Sequence, residues 1–184
     1  MTHEHKGKTS RGFLDGNKIL AKIGLAKGMN VLDVGSSDGN FSIPATKIVG
    51  KEGRVFAVDI HEEALSKLKS NVKNKELKNI NIIEKDFSKG ILLEDNSIDF
   101  VLMVNVAHGF IANNQWQQVL KEANRLLKKD GKVFIIEFKE DSLMGPPASV
   151  RIKPELLEKE MHGFVRKKSF EVGKYSYGII FEKT

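Results

Sequence analysis

The stretch Val31-Leu32-Asp33-Val34-Gly35-Ser36-Ser37-Asp38-Gly39-Asn40 decides the fold. Its first four residues read as a short buried strand, and Gly35 to Gly39 as a turn. A helix over 41–49 follows, ended by Gly50. Pro44 is compatible with that helix because it falls in the opening turn, where its missing N–H is not needed. A strand that passes through glycines straight into a helix is half of a β-α-β unit.

The rest of the chain repeats the unit. Upstream, 13–23 reads as a helix with Phe13, Ile19, Leu20 and Ile23 apolar, closed by Gly28. Downstream come a strand at 54–59, a helix at 62–72, a strand at 80–83 and a continuously apolar strand at 98–105. An amphipathic helix over 116–127 is stopped at Asp130-Gly131, and 132–138 is another buried strand. A loop over 141–149 leads to a helix at 154–162 before Gly163. The tail changes period: 165–172 and 175–182 flank Gly173-Lys174 as a β-hairpin. Alternating strands and helices imply an α/β class, a Rossmann-like doubly wound, mostly parallel seven-stranded sheet with helices on both faces and a C-terminal antiparallel hairpin. One domain over 1–184 is expected, with 1–27 an N-terminal helical cap segment and 141–152 a candidate substrate-cover loop.

Composition narrows the class. The 184 residues are 40% hydrophobic and 29% charged, which supports a packed core and excludes wholesale disorder. No apolar run approaches the roughly 20 residues of a membrane span, and the opening residues do not read as a signal peptide. With no Cys there is no disulfide framework, thiol nucleophile or Cys-ligated metal, and the expected location is cytoplasmic. The net charge of +6 comes from 30 Lys and Arg against 24 Asp and Glu. Its densest stretch, 67–85, is interleaved with Glu76 and Glu84 and reads as a solvated face; a nucleic-acid groove would recruit Arg and stacking aromatics.

In open α/β sheets ligands sit beyond the carboxyl ends of the strands, where the strand order reverses. Gly35 and Gly39 let a backbone approach a ligand there, and the helix behind them presents free N–H groups. Asp59 ends the next strand, where a carboxylate can accept from both hydroxyls of a ribose. Together these features point to a nucleoside-containing cofactor; a ligand-free tight turn is the plain alternative. A dinucleotide fingerprint from Gly35 would need glycine at 37 and 40, where Ser37 and Asn40 stand. The phosphate-binding G-x-x-x-x-G-K-[ST] loop is absent. NAD and ATP are both disfavoured.

Val31 to Asn40 resembles the first motif of class I S-adenosylmethionine-dependent methyltransferases, hydrophobic-D-x-G-x-G-x-G, with Ser37 at the usual middle glycine. Arg54 to Asp59 resembles the second-strand motif and Glu84-Lys85-Asp86-Phe87 the third. Leu93 to Val101 and Arg125 to Phe134 resemble the approaches to the fourth and fifth strands. The five, in order, are most similar to the small ubiquinone/menaquinone-biosynthesis-type (type 11) methyltransferases. The resemblance implies S-adenosyl-L-methionine as methyl donor and S-adenosyl-L-homocysteine as product. By position it implies that Gly35, Ser36, Ser37 and Gly39 line the methionine moiety and ribose, and that Asp33 faces the ammonium group. Asp59 would hold the ribose hydroxyls, with Ile60 and His61 against the adenine. Asp86 would accept from the adenine amino group, Phe87 would offer its N–H, and Asn105 a carbonyl near the methionine.

The acceptor is less constrained, because in-line displacement at a sulfonium mainly requires alignment of nucleophile and methyl. Asn105-Val106-Ala107-His108 lacks the (D/N)-P-P-(Y/F) signature that the superfamily associates with exocyclic amines of nucleobases. Acceptors needing a Cys nucleophile are excluded. His108, just past the fourth strand, is the candidate base or substrate contact, with loop packing as its plain alternative. Asp15, Glu137 and Arg151 are further substrate candidates, Arg151 for an anionic group, while Arg151 has a surface role and the 141–152 loop a mere crossover as alternatives. His3 and His5 read as tail residues, His162 as a helix end, and no cluster has metal-ligand spacing. A small-molecule acceptor is expected. An RNA methyltransferase and a non-catalytic S-adenosylmethionine-binding protein are the competing readings.

Overall fold

Apolar runs too continuous to face water on either side build the middle of a seven-stranded sheet. The computed structural model describes residues 10–184, so His3, His5 and the start of the 1–27 segment lie outside the described residues. The strands are β1 Asn30–Val34, β2 Arg54–Asp59, β3 Ile80–Glu84, β4 Ile98–Val104, β5 Leu127–Phe138, β6 Phe164–Val172 and β7 Ser176–Lys183. Their spatial order is β3-β2-β1-β4-β5-β7-β6. The first five run parallel, and β7 pairs antiparallel with both β5 and β6. The chain moves outward from β1 to β3, then crosses back to place β4 on the other side of β1. A topological switch point therefore lies between β1 and β4.

Six α-helices among the described residues cover the two faces: α1 Gly16–Leu20, α2 Ser42–Val49, α3 Glu62–Asn74, α4 Ala107–Ala112, α5 Trp116–Leu126 and α6 Pro154–Glu160. Trp116, Val119, Leu120, Ala123 and Leu126 of α5 pack with Val101, Met103, Val133, Ile135 and Ile179 on one face. Leu20, Phe41, Ala45 and Val49 pack with Val31, Phe100, Leu102 and Phe134 on the other. Strand alternation follows: Asp33 shares a face with Val31, whereas Glu137 shares a face with Val133 and Ile135.

Four expectations about elements are corrected. The helix expected over 13–23 is only Gly16–Leu20, because Asp15 caps it by accepting from Lys18 N at 3.2 Å. Gly16 lies so close to the start of α2 that a Cβ there would stand 2.2 Å from the Asn40 carbonyl oxygen. Secondly, α5 stops at Leu126 rather than near Asp130-Gly131, because Leu127 already pairs with Ile98. Residues 128–131 bulge before Lys132 resumes pairing with Phe100, and Asp130, with φ 61°, turns within that bulge. Thirdly, α6 ends at Glu160, two residues short of its expected end. Fourthly, α4 was not foreseen at all, and it places His108 in a helix rather than a loop.

Candidate functional site

Backbone hydrogen bonds fasten the turn after β1 to the end of β2. Gly35 N and Ser36 N both donate to the Val58 carbonyl, at 2.8 and 3.0 Å. Asp59 then ties together the turns after β1 and β2: its Oδ2 accepts from Ser37 N at 2.8 Å and its Oδ1 from His61 N at 2.9 Å. Gly35 has φ 73°, and a side chain on it would stand 2.4 Å from Val106 Cγ1. A Cβ on Gly39 would stand 2.4 Å from Leu68 Cδ1. These two glycines thus serve a left-handed backbone and close packing against α3 and the chain after β4, not only the approach of a ligand. Ser37 adopts φ 49° without glycine's freedom, and the bond from its N–H to Asp59 helps hold it there.

Asp33 is buried and accepts from Ser42 Oγ. Its carboxyl is pushed up from an ordinary 3.8 to about 7, chiefly by burial, opposed by the Ser42 bond and reinforced by the charge of Asp59. Ser42, on the first turn of α2, is a partner that no motif announced.

Among the described residues, five buried side-chain polar atoms lack a partner: Ser36 Oγ, Ser37 Oγ, His61 Nε2, Asn105 Oδ1 and Ser176 Oγ. Such atoms are rare because each costs desolvation energy. The first four follow β1, β2 and β4, and Ser176 opposes Phe138 at the end of β5, so all five occupy the carboxyl edge. Asn105 also has φ 56°, a turn that directs the chain from β4 into α4. Ile60 is 57% exposed just past the end of β2. Phe87 is buried and opens a short 3-10 turn. Asp86 caps that turn, its Oδ1 accepting from Ser88 N and Ser88 Oγ at 3.0 and 2.7 Å, while Oδ2 stands 3.4 Å from Lys89 Nζ.

Across the switch point, His108 and Glu137 come together. The Glu137 Oε1 accepts from His108 N at 3.0 Å, and His108 Nδ1 lies 3.0 and 2.9 Å from Oε1 and Oε2. Both side chains are buried, 2% and 1% exposed. Tyr177 faces Glu137 across the β5–β7 pair and donates to the Ile152 carbonyl at 2.7 Å. Val106, Phe110 and Ile111 supply half-buried apolar surface alongside.

The remaining candidates are placed differently. Asp15 is the exposed cap of α1 and forms an ion pair with Lys18 at 3.5 Å. Arg151 clamps its own loop, donating to the carbonyls of Pro146, Glu140 and Ser142 at 2.9, 2.8 and 2.6 Å. Its planar fork matches three converging carbonyls, so those donors are committed within the protein. The Phe138 ring lies 5.5 Å from that of Phe13, and a Cβ on Gly145 would stand 2.6 Å from its Cγ, so the segment before α1 and the 141–152 loop meet on it. Arg11 bonds Asp38 at 3.0 Å, and Asn40 Nδ2 bonds Ser10 Oγ and the Leu14 carbonyl, which seats the N-terminal segment on the turn after β1. Asp38, Asn40 and Phe138 had no signal beyond their place at strand ends.

Among the described residues no group of three His, Cys, Asp or Glu could hold a metal, and no helix is long and apolar enough to cross a membrane. The lysine-rich stretch pairs with acids, Lys67 with Glu63 and Lys69 with Glu84.

A family model described as a methyltransferase domain matches residues 25–177. A demethylmenaquinone methyltransferase of Staphylococcus aureus is 32% identical over 128 residues, covering 68% of this chain and 50% of that protein. The chain thus spans about half the length of the curated relatives it matches. The crystal structure of a SAM dependent methyltransferase from Aquifex aeolicus superposes with a TM-score of 0.85 at 29% identity, covering 97% of this chain and 95% of that one. A candidate type 11 methyltransferase from Sulfolobus solfataricus gives 0.71 at 26% identity, covering 85% of each chain.

Proposed function

The chain belongs to the class I S-adenosylmethionine-dependent methyltransferases of the type 11 kind, and from that premise we propose that it transfers a methyl group from S-adenosylmethionine to a small-molecule acceptor. The supporting observation is the set of unpartnered buried atoms Ser36 Oγ, Ser37 Oγ, His61 Nε2 and Asn105 Oδ1, gathered beside Asp33 and Asp59. These residues fit the donor: polar atoms that no protein group satisfies are available to the amino-acid and ribose ends of a nucleoside. When bound, the donor supplies an electrophilic methyl on a sulfonium. In this reading Asp33 meets the ammonium group, Asp59 the ribose hydroxyls, and Ile60 and His61 the adenine. Asp86 uses its remaining acceptor capacity, and the Phe87 N–H donates, at the adenine edge. Gly35, Ser36, Ser37 and Gly39 shape the methionine end with Asn105.

The single domain carries its own cover, made of the segment before α1 and the 141–152 loop. Asp15 and Arg151 act on that cover, the first by capping α1 and the second by bracing the loop. His108 serves the acceptor as general base. The basic residues do not favour RNA, since the densest run is interleaved with acids, two of its lysines, Lys67 and Lys69, pairing with Glu63 and Glu84. A cytoplasmic location goes with this reading.

Thermal denaturation tests the donor. A ligand bound at 100 times its Kd stabilises by about 2.7 kcal/mol, so S-adenosylmethionine and S-adenosylhomocysteine should raise Tm by several degrees and NAD or ATP should not. A shift with NAD and none with S-adenosylhomocysteine overturns the assignment. Incubating a cell extract with the enzyme and isotope-labelled donor then identifies the acceptor by mass spectrometry; an extract with no labelled product at any enzyme concentration favours the non-catalytic reading.

Asp33 gives the binding a pH dependence. Its folded value of about 7 lies above the ordinary 3.8, so the stability tied to its neutral form is full below about pH 4 and is lost as pH rises through 7. The donor's ammonium favours the ionised form, so binding below pH 7 releases a proton. Affinity for S-adenosylhomocysteine is expected to rise about tenfold from pH 6 to pH 8. Calorimetry at pH 6 in two buffers of different ionisation enthalpy measures the release; zero protons released removes Asp33 from the ammonium.

A further inference from the structure

We infer that Ser42 is a positioning residue of the donor site: its hydroxyl fixes the Asp33 carboxylate and supports its charged form, so that the pocket meets the donor's ammonium group with an ion at neutral pH. The inference rests on the proposed role of Asp33 and deepens it. Ser42 Oγ lies 2.5 Å from Asp33 Oδ2, and both residues are buried. An ionised carboxylate can only accept, so in that state the hydroxyl must donate.

A serine in the first turn of a helix commonly bonds to nearby backbone. Within α2 it is Thr46 that does so, donating to the Ile43 carbonyl at 2.7 Å. No side chain caps the start of α2, and the Ser42 hydroxyl reaches across to β1 instead. The Ser42 N–H, one of the donors that open α2 without a partner inside the helix, acts on Asp33 in the same sense.

Two acids share this edge of the sheet, and they are held differently. Asp59 receives two backbone N–H groups, from Ser37 and His61. Asp33 relies on the first turn of α2. Burial pushes its carboxyl up to about 7, with the charge of Asp59 adding to the effect, and the Ser42 hydroxyl is the largest influence in the other direction. Of the elements around it, β2 and β4 set Ala57 and Leu102 beside it. The one ionisable side chain of α2, Lys47, is exposed. On α1, Lys18 is exposed and pairs with Asp15; before α1, Arg11 pairs with Asp38. His108 and Glu137 meet each other on the opposite face of the sheet.

A pocket that holds neutral Asp33 must release a proton before it can grip an ammonium group. Affinity therefore falls in proportion to the fraction of protein in which the acid is ionised. Ser42 raises that fraction at neutral pH, through a hydroxyl that touches Asp33 and is assigned no contact with the donor.

Calorimetric affinity for S-adenosylhomocysteine between pH 6 and pH 8.5 tests the inference. Ser42→Ala removes one buried oxygen and introduces a good helix former, so it should fold. Without the hydroxyl, ionisation of Asp33 should move up by about one pH unit. The variant should then bind about tenfold more weakly than wild type at pH 6, about fivefold at pH 7 and within about twofold at pH 8.5. In two buffers of different ionisation enthalpy at pH 7.5 it should release about three-quarters of a proton on binding, against about one-quarter for wild type. A hydroxyl that merely packs α2 on β1 would change affinity equally at every pH, and that result overturns the inference. In an Asp33→Asn background the same substitution should cost less than about twofold, since no carboxyl remains to be charged; the full loss there overturns it too. If Ser42→Ala does not fold, Ser42→Cys, whose thiol is a weak donor, is read in the same way, and a profile identical to wild type overturns the inference. Wild type that binds no S-adenosylhomocysteine at any pH marks the failure of the donor reading, and this inference falls with it. Wild type that binds, with a variant profile that does not move, overturns the role of Ser42 alone.

Discussion

His108→Ala is expected to lower methyl transfer by roughly 10²–10⁴-fold while leaving S-adenosylhomocysteine affinity within about threefold. The separation follows from the geometry. Every group proposed for the donor lies at the carboxyl end of β1, β2, β3 or β4 or just after it, and of these Asn105 comes nearest to His108 in sequence. The bond from the backbone N–H of residue 108 to Glu137 survives the substitution, so the start of α4 keeps its anchor. What is lost is the imidazole that meets the buried Glu137 carboxylate and that is proposed to serve the acceptor. Glu137 then keeps a single donor of those described, and leaving it less satisfied costs about 1–3 kcal/mol of stability. Folding must therefore be checked by calorimetric binding of S-adenosylhomocysteine before rates are compared. A folded variant that turns over at the wild-type rate shows that His108 only packs α4.

The order of strands and helices was readable because each signal is local. The apolar run 31–34, the glycines after it and Pro44 in the opening turn of α2 announce their own structure within ten or so residues. Asp59 was placed at the site for the same reason, as the last residue of a strand whose end is clear. The helix α4 was not readable: it is six residues long, contains Gly109 and has no capping side chain, and what fastens its start is a carboxylate 29 residues away. The pairing of His108 with Glu137 needs β4 and β5 to be neighbours, which sequence order alone does not dictate. Arg151 misled for the opposite reason. A scarce arginine near a cleft suggests an anion, yet the loop that carries it turns three carbonyls inward to meet it. The apolar period over 13–23 also misled, although Gly16 already marked where one backbone must pass close to another.

Asp59→Ala is expected to weaken S-adenosylhomocysteine binding by about 100-fold or more, through two losses that act at one place. The first is direct: hydrogen bonds to a charged group contribute roughly 1.5–3 kcal/mol each, and the carboxylate is assigned two ribose hydroxyls. The second is the seat of the turn. Ser37 N and His61 N would lose their common acceptor, and Ser37, held at φ 49° by that bond, would relax towards conformations that close or splay the turn. The ligand-free protein should accordingly lose about 2–4 kcal/mol of stability. Asp59→Asn separates the two losses. Its one acceptor oxygen can keep either the Ser37 or the His61 bond, and it has no charge to offer the ribose. Its affinity should fall about tenfold, between wild type and Ala, with less loss of stability. An Asn variant as weak as Ala but nearly as stable as wild type places the whole effect on the ribose. A folded Asn variant with an unchanged Kd assigns Asp59 to holding the turn and leaves the ribose to other groups, of which the buried, unpartnered Nε2 of His61 is the first to examine.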